Sequence, residues 1–153
     1  MVEALELPQE TNLTQNFQKY TGIRKHIAIC EVGNGSISIE QHDRGYGRSA
    51  YYAVQDGRPV AYCVGYNGEE AGRNSFHIQS TFVTAHARKQ GIGLALYSAI
   101  IDSNIMLVSD FDLSEGARRL WVALGQKYHV TPQAGAGGFI AISHQEQHHK
   151  RDA

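Results

Sequence analysis

The sequence predicts a mixed α/β domain, with a mostly antiparallel central sheet flanked by helices, and three observations predict it. From Ser36 to Val83 apolar and polar residues alternate with period two, interrupted by glycine-bearing turns. From Phe76 to Asn104 a strand leads through a short cationic turn, Arg88-Lys89-Gln90-Gly91-Ile92-Gly93, into one helix. A second helix with a capping signal and a last pair of strands then close the chain.

Taken in order, Val2–Leu7 alternates weakly, as a short edge strand or a loose end, and Pro8 stops it. Leu13, Phe17 and Tyr20 recur at helical spacing, Gly22 interrupts, and Ile23–Ile29 reads as a second short helix. Gly33-Asn34-Gly35 is a turn. Ile37 and Ile39 then alternate with serines in a strand ending near Gln41, and Gly45–Gly47 is a loop. Ser49–Gln55 and Pro59–Tyr66 are strands joined by Asp56-Gly57, a strong hairpin dipeptide, and Asn67-Gly68 opens the next turn. In the following strand Phe76, Ile78 and Phe82 point one way, and His77, Gln79, Thr81 and Val83 the other.

Beyond the cationic turn, Ile92, Ala95, Leu96, Ala99 and Ile100 form one helical stripe. Ile105–Ser109 reads as a strand parallel to the Phe76 strand, across a right-handed crossover. Either Asp112 or Ser114 caps the next helix, in which Ala117, Leu120, Trp121 and Leu124 share a face and Gly125 ends the run. Lys127–Thr131 and Phe139–Ser143 pair around the glycine-rich stretch Gly135–Gly138, and a polar tail begins at His144.

At 153 residues the chain reads as a single domain, 1–153, with residues 144–153 as that tail. An apolar content of 42% with 19% charged residues is that of a folded globular protein. A net charge of −1 argues against holding nucleic acid through a broad cationic surface. The two cysteines, Cys30 and Cys63, stand in apolar stretches as small core residues, with neither metal-pair nor disulfide-framework spacing. His144, His148 and His149 belong to the polar tail, so no metal site is expected. No basic patch precedes an apolar run at the N-terminus, and no apolar run approaches the roughly 18 residues of a membrane span. A cytoplasmic protein is the expectation.

The chemistry starts at the cationic turn. A turn opening a helix presents free backbone N–H groups at the positive end of the helix dipole, and glycine lets an anion come close. Arg88 and Lys89 stand beside that cradle. On the preceding strand, three polar side chains in alternation suggest a wet cleft, because burying an unpartnered polar group costs about 1–3 kcal/mol.

A strand ending in Val83, followed by Arg88-x-x-Gly91-x-Gly93, resembles the acyl-CoA-binding motif of the GNAT superfamily of N-acetyltransferases. A second motif agrees. Ser114-Glu-Gly-Ala117-Arg-Arg-Leu120-Trp121-Val-Ala-Leu124-Gly125 is similar to the family's Asn-x-x-Ala-x-x-Leu-Tyr-x-x-Leu-Gly in its last helix. The order of elements matches over nearly the whole chain, most clearly from Tyr51 to Gly125.

The resemblance implies a GNAT fold, its sheet splayed between the Phe76 and Ile105 strands, and acetyl-CoA as acyl donor. The Val83 backbone would meet the pantetheine arm. Arg88, Lys89, Gln90, Gly91, Ile92 and Gly93 would hold the pyrophosphate. Ser114 and Trp121 would border the donor from the last helix, at the family's Asn and Tyr positions. There the sequence departs: Ser114 has a shorter reach, and the indole of Trp121 is no acid at neutral pH. Ser114, Trp121 and the Ser109-Asp110 pair are similar to bacteriophage-encoded GNAT proteins. His77 lies eleven positions before Arg88, where family members that deprotonate an amine carry Glu or His. Gln79 stands where a branch resembling the arylalkylamine N-acetyltransferases has a second His. An amine must lose its proton to attack a thioester, and a histidine, with a reference pKa of about 6.5, can take it. The competing reading has His77 bonded to a neighbouring strand or to solvent.

The leading functional expectation is an N-acetyltransferase moving acetyl from acetyl-CoA to a primary amine of a small molecule or protein. A catalytically silent GNAT-fold module that binds CoA or a protein partner is the second. An acyltransferase acting on a host protein, a tRNA-bound amino acid or a base is the third. A homodimer is left open.

Overall fold

The computed structural model of the chain describes residues 12–33, 35–70, 72–110, 113–133 and 138–142; Val2–Leu7, Asp112 and the tail from His144 lie outside them. Residues 12–19 form helix α1. The chain then runs through β1 (Arg24–Val32), β2 (Gly35–Gly45), β3 (Arg48–Gln55), β4 (Arg58–Glu70) and β5 (Arg73–Val83). Helix α2 (Ile92–Asp102) crosses back to β6 (Met106–Val108), and α3 (Glu115–Leu124), β7 (His129–Pro132) and β8 (Phe139–Ile142) follow. The strands make one sheet in the order β1-β2-β3-β4-β5-β6-β8-β7. Among the described residues only β5 and β6 run parallel. This is the mixed, mostly antiparallel sheet that the sequence predicts.

Two local expectations are overturned. Ile23–Ile29 is not a helix: from Arg24 it belongs to β1, paired along its length with β2. The spacing Ile23–Ile27 suits a helix, but Ile27–Ile29 suits a strand. The β-branched side chains and the open edge of β2 decide. Asn67-Gly68 is not a turn either. Asn67 faces Phe76 and Gly68 faces Ser75, and the pairing runs on to Glu70, which faces Arg73; Gly72 has φ 78°. The Asn67 groups that favour turns are used across the sheet instead. Its N–H donates to Gly47 O (2.7 Å) and its side-chain amide to Ser49 Oγ (2.9 Å). The Asp56-Gly57 hairpin is present, with φ 52° and 77° as a primed turn requires.

A third correction governs the site. Gly65 faces Ile78 but Val64 faces Ser80, so Gln79 is an extra residue on β5. The bulge reverses the strand's alternation. Phe76 and Ile78 join the core beneath α2, as Val83 does past the bulge, while Phe82 joins the second core, against Leu13 and Phe17 of α1. His77, Gln79, Thr81 and Val83 therefore do not share one face. The bulge is held by close backbone approach: a Cβ added at Gly65 would run into the His77 carbonyl oxygen.

Helix α2 is buried almost all round, with Ile92, Leu96, Tyr97, Ala99, Ile100 and Ile101 inside. Among the described residues no helix is long and apolar enough to cross a membrane. Helix α1 covers the opposite face through a histidine. His42 has no exposed surface and stacks on Phe17 (centroids 5.4 Å apart) and Tyr20 (4.4 Å), with Tyr52 at 4.6 Å. Arg24 ties the same helix end by donating to the Phe17 and Tyr20 carbonyls.

Burial holds the His42 imidazole below its ordinary pKa; its hydrogen bond to Glu40 (3.3 Å) pulls the other way, and the Arg24 and Arg44 charges push it down further. A depressed folded value means that acid favours the unfolded chain, whose histidine protonates near about 6.5. The contribution is whole above that pH and declines as pH falls through the folded value. Urea midpoints at neutral and mildly acidic pH should therefore fall further for the parent than for His42→Phe. Equal losses would put the acid sensitivity elsewhere.

Candidate functional site

Strands β5 and β6 touch over only three register pairs, Ser75–Met106, Phe76–Leu107 and His77–Val108. Beyond them β5 continues to Val83 while β6 has ended, so the sheet opens between the two strands. Two cavities lie along that parting. An outer cleft of about 700 Å³ runs between the end of β5, the start of α2 and the first turns of α3. A smaller cavity of about 200 Å³, the inner chamber, adjoins it, with Ile78, Gln79 and Trp121 in its wall. Thr81, Tyr97, Ser114 and Ala117 line both, so they form the throat between them.

The mouth of the outer cleft is the start of α2. Gly91 caps the helix in the left-handed region, φ 78°, which glycine adopts without strain. The first intrahelical bond is Ala95 N–H to Gly91 O (3.0 Å). The N–H groups of Ile92, Gly93 and Leu94 therefore precede the helical ladder and point out of the helix end. Arg88 Nε donates to the Val83 carbonyl (3.0 Å), which sets its guanidinium in the cleft wall. Arg119 of α3 lines the same cleft, which therefore holds two cations.

The residues named from sequence divide accordingly. Val83, Arg88, Gly91, Gly93 and Ser114 line the outer cleft. Lys89 is exposed beside the turn and Ile92 is buried, so Ile92 offers its backbone while its side chain anchors the helix. Gln90 braces the turn from behind: its carbonyl accepts from Gly33 N–H (3.2 Å) and its amide donates to His86 O (3.3 Å). Ser114, one of two capping candidates, is the cap, accepting from Ala117 N–H (3.1 Å). Trp121 is 2% exposed, stacked on Phe139 with centroids 5.9 Å apart, and borders the inner chamber.

The two polar residues assigned to the chemistry sit apart. Gln79, at the bulge, lines the inner chamber, and its Oε1 accepts from Arg48 (3.2 Å). His77 lies before the bulge, on the face away from α2, paired in register with Tyr66. Its Nε2 is 3.2 Å from Glu70 Oε1, and it lines neither cavity.

Sequence reasoning missed Arg119 and, above all, Tyr97. Tyr97 is 3% exposed and its hydroxyl lies 2.7 Å from Thr81 Oγ1. Burial pushes its pKa far up, the neighbouring Cys63 pushes it further, and the Thr81 bond opposes both. Burial likewise pushes the Cys63 thiol up to about 12, and its contact with the Thr81 hydroxyl works against that rise. Cys63, Thr81 and Tyr97 are thus a connected, protonated set under the throat. The only signal in the sequence was a polar tip on an otherwise apolar helix face. Among the described residues no group of three His, Cys, Asp or Glu side chains is arranged to hold a metal ion.

Residues 19–125 match the acetyltransferase (GNAT) family. No curated protein sequence matches the chain. Among solved structures, the ribosomal-protein-alanine N-acetyltransferase of Brucella melitensis biovar Abortus 2308 is similar at 21% identity and a TM-score of 0.45. That similarity covers 52% of this chain and 62% of that one. The ribosomal-protein-S18-alanine N-acetyltransferase of Escherichia coli is similar at 16% identity and a TM-score of 0.42, over 64% of this chain and 68% of that one.

Trp121 closes the back of the chamber by packing. Trp121→Ala should lower stability by about 3–5 kcal/mol, measured by urea unfolding, whereas Trp121→Phe should keep most of it. A near-neutral Trp121→Ala would mean that the ring is not part of the core.

Proposed function

The chain belongs to the GNAT acetyltransferase family, and on that premise we propose that it moves an acetyl group from acetyl-CoA to a primary amine. One observation carries this reading: a cleft of about 700 Å³ with an anion cradle in its wall adjoins, across a shared throat, a smaller, half-open chamber of about 200 Å³. An acyl-CoA has the same sequence of parts: a diphosphate, a slender neutral arm and a small acyl group. The N–H groups at the start of α2, with Arg88 and Arg119, are the complement of a diphosphate. Val83 and Leu94 line the path of the arm. The chamber of about 200 Å³ accepts a group the size of acetyl.

The amine enters from the face of the sheet away from α2, beside the Gln79 bulge that lines the chamber. Its lone pair attacks the thioester carbonyl, the C–N bond forms, the C–S bond breaks, and one proton leaves nitrogen. His77 stands on that face, and donation from Nε2 to Glu70 leaves Nδ1 with the lone pair. In that tautomer His77 takes the proton through a water, and Gln79 orients the incoming group. The acceptor is the amine of a small molecule or of a protein chain.

Calorimetry with CoA and with pantetheine tests the donor site. CoA should bind and pantetheine should bind far more weakly; equal affinities would remove the diphosphate role of the α2 cradle. Gly93→Glu should abolish CoA binding by putting a carboxylate into the cleft, while Gly93→Ala serves as the folding control. A Cβ there meets Leu120 at 3.6 Å and Val83 at 4.0 Å, ordinary contacts. Thiol release from acetyl-CoA over a panel of amines then separates an enzyme from a silent CoA-binding module.

For the base, His77→Gln should keep CoA affinity and lose about 10²–10⁴ in turnover at neutral pH, recovering as pH rises and free amine becomes abundant. An unchanged rate and pH profile would leave the His77–Glu70 pair as a surface tie.

A further inference from the structure

We propose that Tyr97 is the hydrogen-bond donor to the thioester sulfur, held in place by Thr81. The inference rests on the acetyl-CoA reading of the two cavities. If the arm fills the outer cleft and the acetyl group the inner chamber, the sulfur that joins them lies in the throat. The throat is made by Thr81, Tyr97, Ser114 and Ala117, so three hydroxyls are the side-chain donors there. Ser114 is exposed at the start of α3, where its Oγ accepts from Ala117 N–H at 3.1 Å and its O–H is open to competition from water. The indole of Trp121 is set back in the inner chamber and does not reach the outer cleft. The hydroxyl pair remains, with Tyr97 O and Thr81 Oγ1 at 2.7 Å.

That bond works in either direction. With the cleft empty, Tyr97 can donate to Thr81. With a thioester in the throat, Thr81 donates to the phenol oxygen, and the phenol O–H turns to the sulfur. As the C–S bond breaks, its electron pair goes to sulfur, and the donated hydrogen bond offsets that charge. The proton that finally neutralises the thiolate is the one the amine lost, returned through solvent, so Tyr97 ends the cycle as it began. Burial holds the phenol protonated well beyond its ordinary range, which suits a donor that keeps its proton. Thr81 is a positioning residue, since it acts through Tyr97.

The test needs no acceptor. CoA is bound to the full chain and the bound thiol is titrated by its ultraviolet thiolate absorbance, in the parent and in Tyr97→Phe. The parent should hold the bound thiol at a lower pKa than free CoA, and Tyr97→Phe should return it toward the free value with CoA affinity little changed. With any amine that the parent acetylates, Tyr97→Phe should also lose about 10- to 100-fold in kcat, the scale of one hydrogen bond to a charge. Identical thiol titrations in the two proteins would overturn the assignment to Tyr97 while leaving the CoA cleft intact. Failure of the parent to bind CoA would sink both. Should Tyr97→Phe not fold, Thr81→Val and Thr81→Ser decide: Val should raise the bound thiol's pKa and Ser restore it, and equal titrations would end the proposal.

Discussion

The site depends on one constraint, the early parting of β5 from β6. Three register pairs hold the two strands together, and β6 stops at Val108 while β5 runs on to Val83. An eight-stranded sheet that opens in its interior would expose backbone groups and apolar edges unless something stood in the gap. Helix α2 stands over one side and α3 lies along the other. Each is secured by its own apolar residues, Leu96 and Ile100 on α2 and Trp121 and Leu124 on α3. The gap persists because the elements that frame it are fixed by the core these residues share.

The bulge at Gln79 adds to the parting. One extra residue on β5 turns Thr81 toward α2 and Phe82 toward α1, so a single strand feeds both cores and the throat. Without that residue Thr81 would face α1, Phe82 would fill the throat, and Tyr97 would lose its partner. Gly65 permits the bulge, because any side chain there collides with the His77 carbonyl. The chemistry of the throat is therefore linked to a glycine on the neighbouring strand.

Much of this was legible in the chain. The strand–turn–helix from Phe76 to Asn104, the Asp56-Gly57 hairpin and the α3 stripe each announce themselves by a local rule, of alternation, turn chemistry or helical spacing. The features that eluded reading are set by partners distant in sequence. Ile23–Ile29 fits either period, and only the edge of β2 makes it a strand. Asn67-Gly68 carries a turn signature, yet Ser49 and Gly47 take up the asparagine's hydrogen bonds and the strand continues. The bulge has no signature on β5 itself, since the residue that permits it is Gly65 on β4. A reading that counts alternation from Phe76 to Val83 inverts after Gln79.

Tyr97 was hidden for a related reason. On a helix buried almost all round, a tyrosine reads as one more large apolar residue, and its hydroxyl matters only through what it meets. It meets Thr81, which faces it because of the bulge, and a throat that exists because β5 and β6 part. On α3 the position that opens toward the chamber is filled by Trp121, whose ring closes the back wall against Phe139. An indole there and a phenol on α2 divide two tasks, sealing the chamber and donating to the throat, between helices that face each other with ring centroids 6.0 Å apart. The two tasks need different surroundings, because a seal works best fully packed whereas a donor must keep one side open to the ligand. Trp121 borders the inner chamber alone and Tyr97 borders both cavities, which is the arrangement that such a division requires.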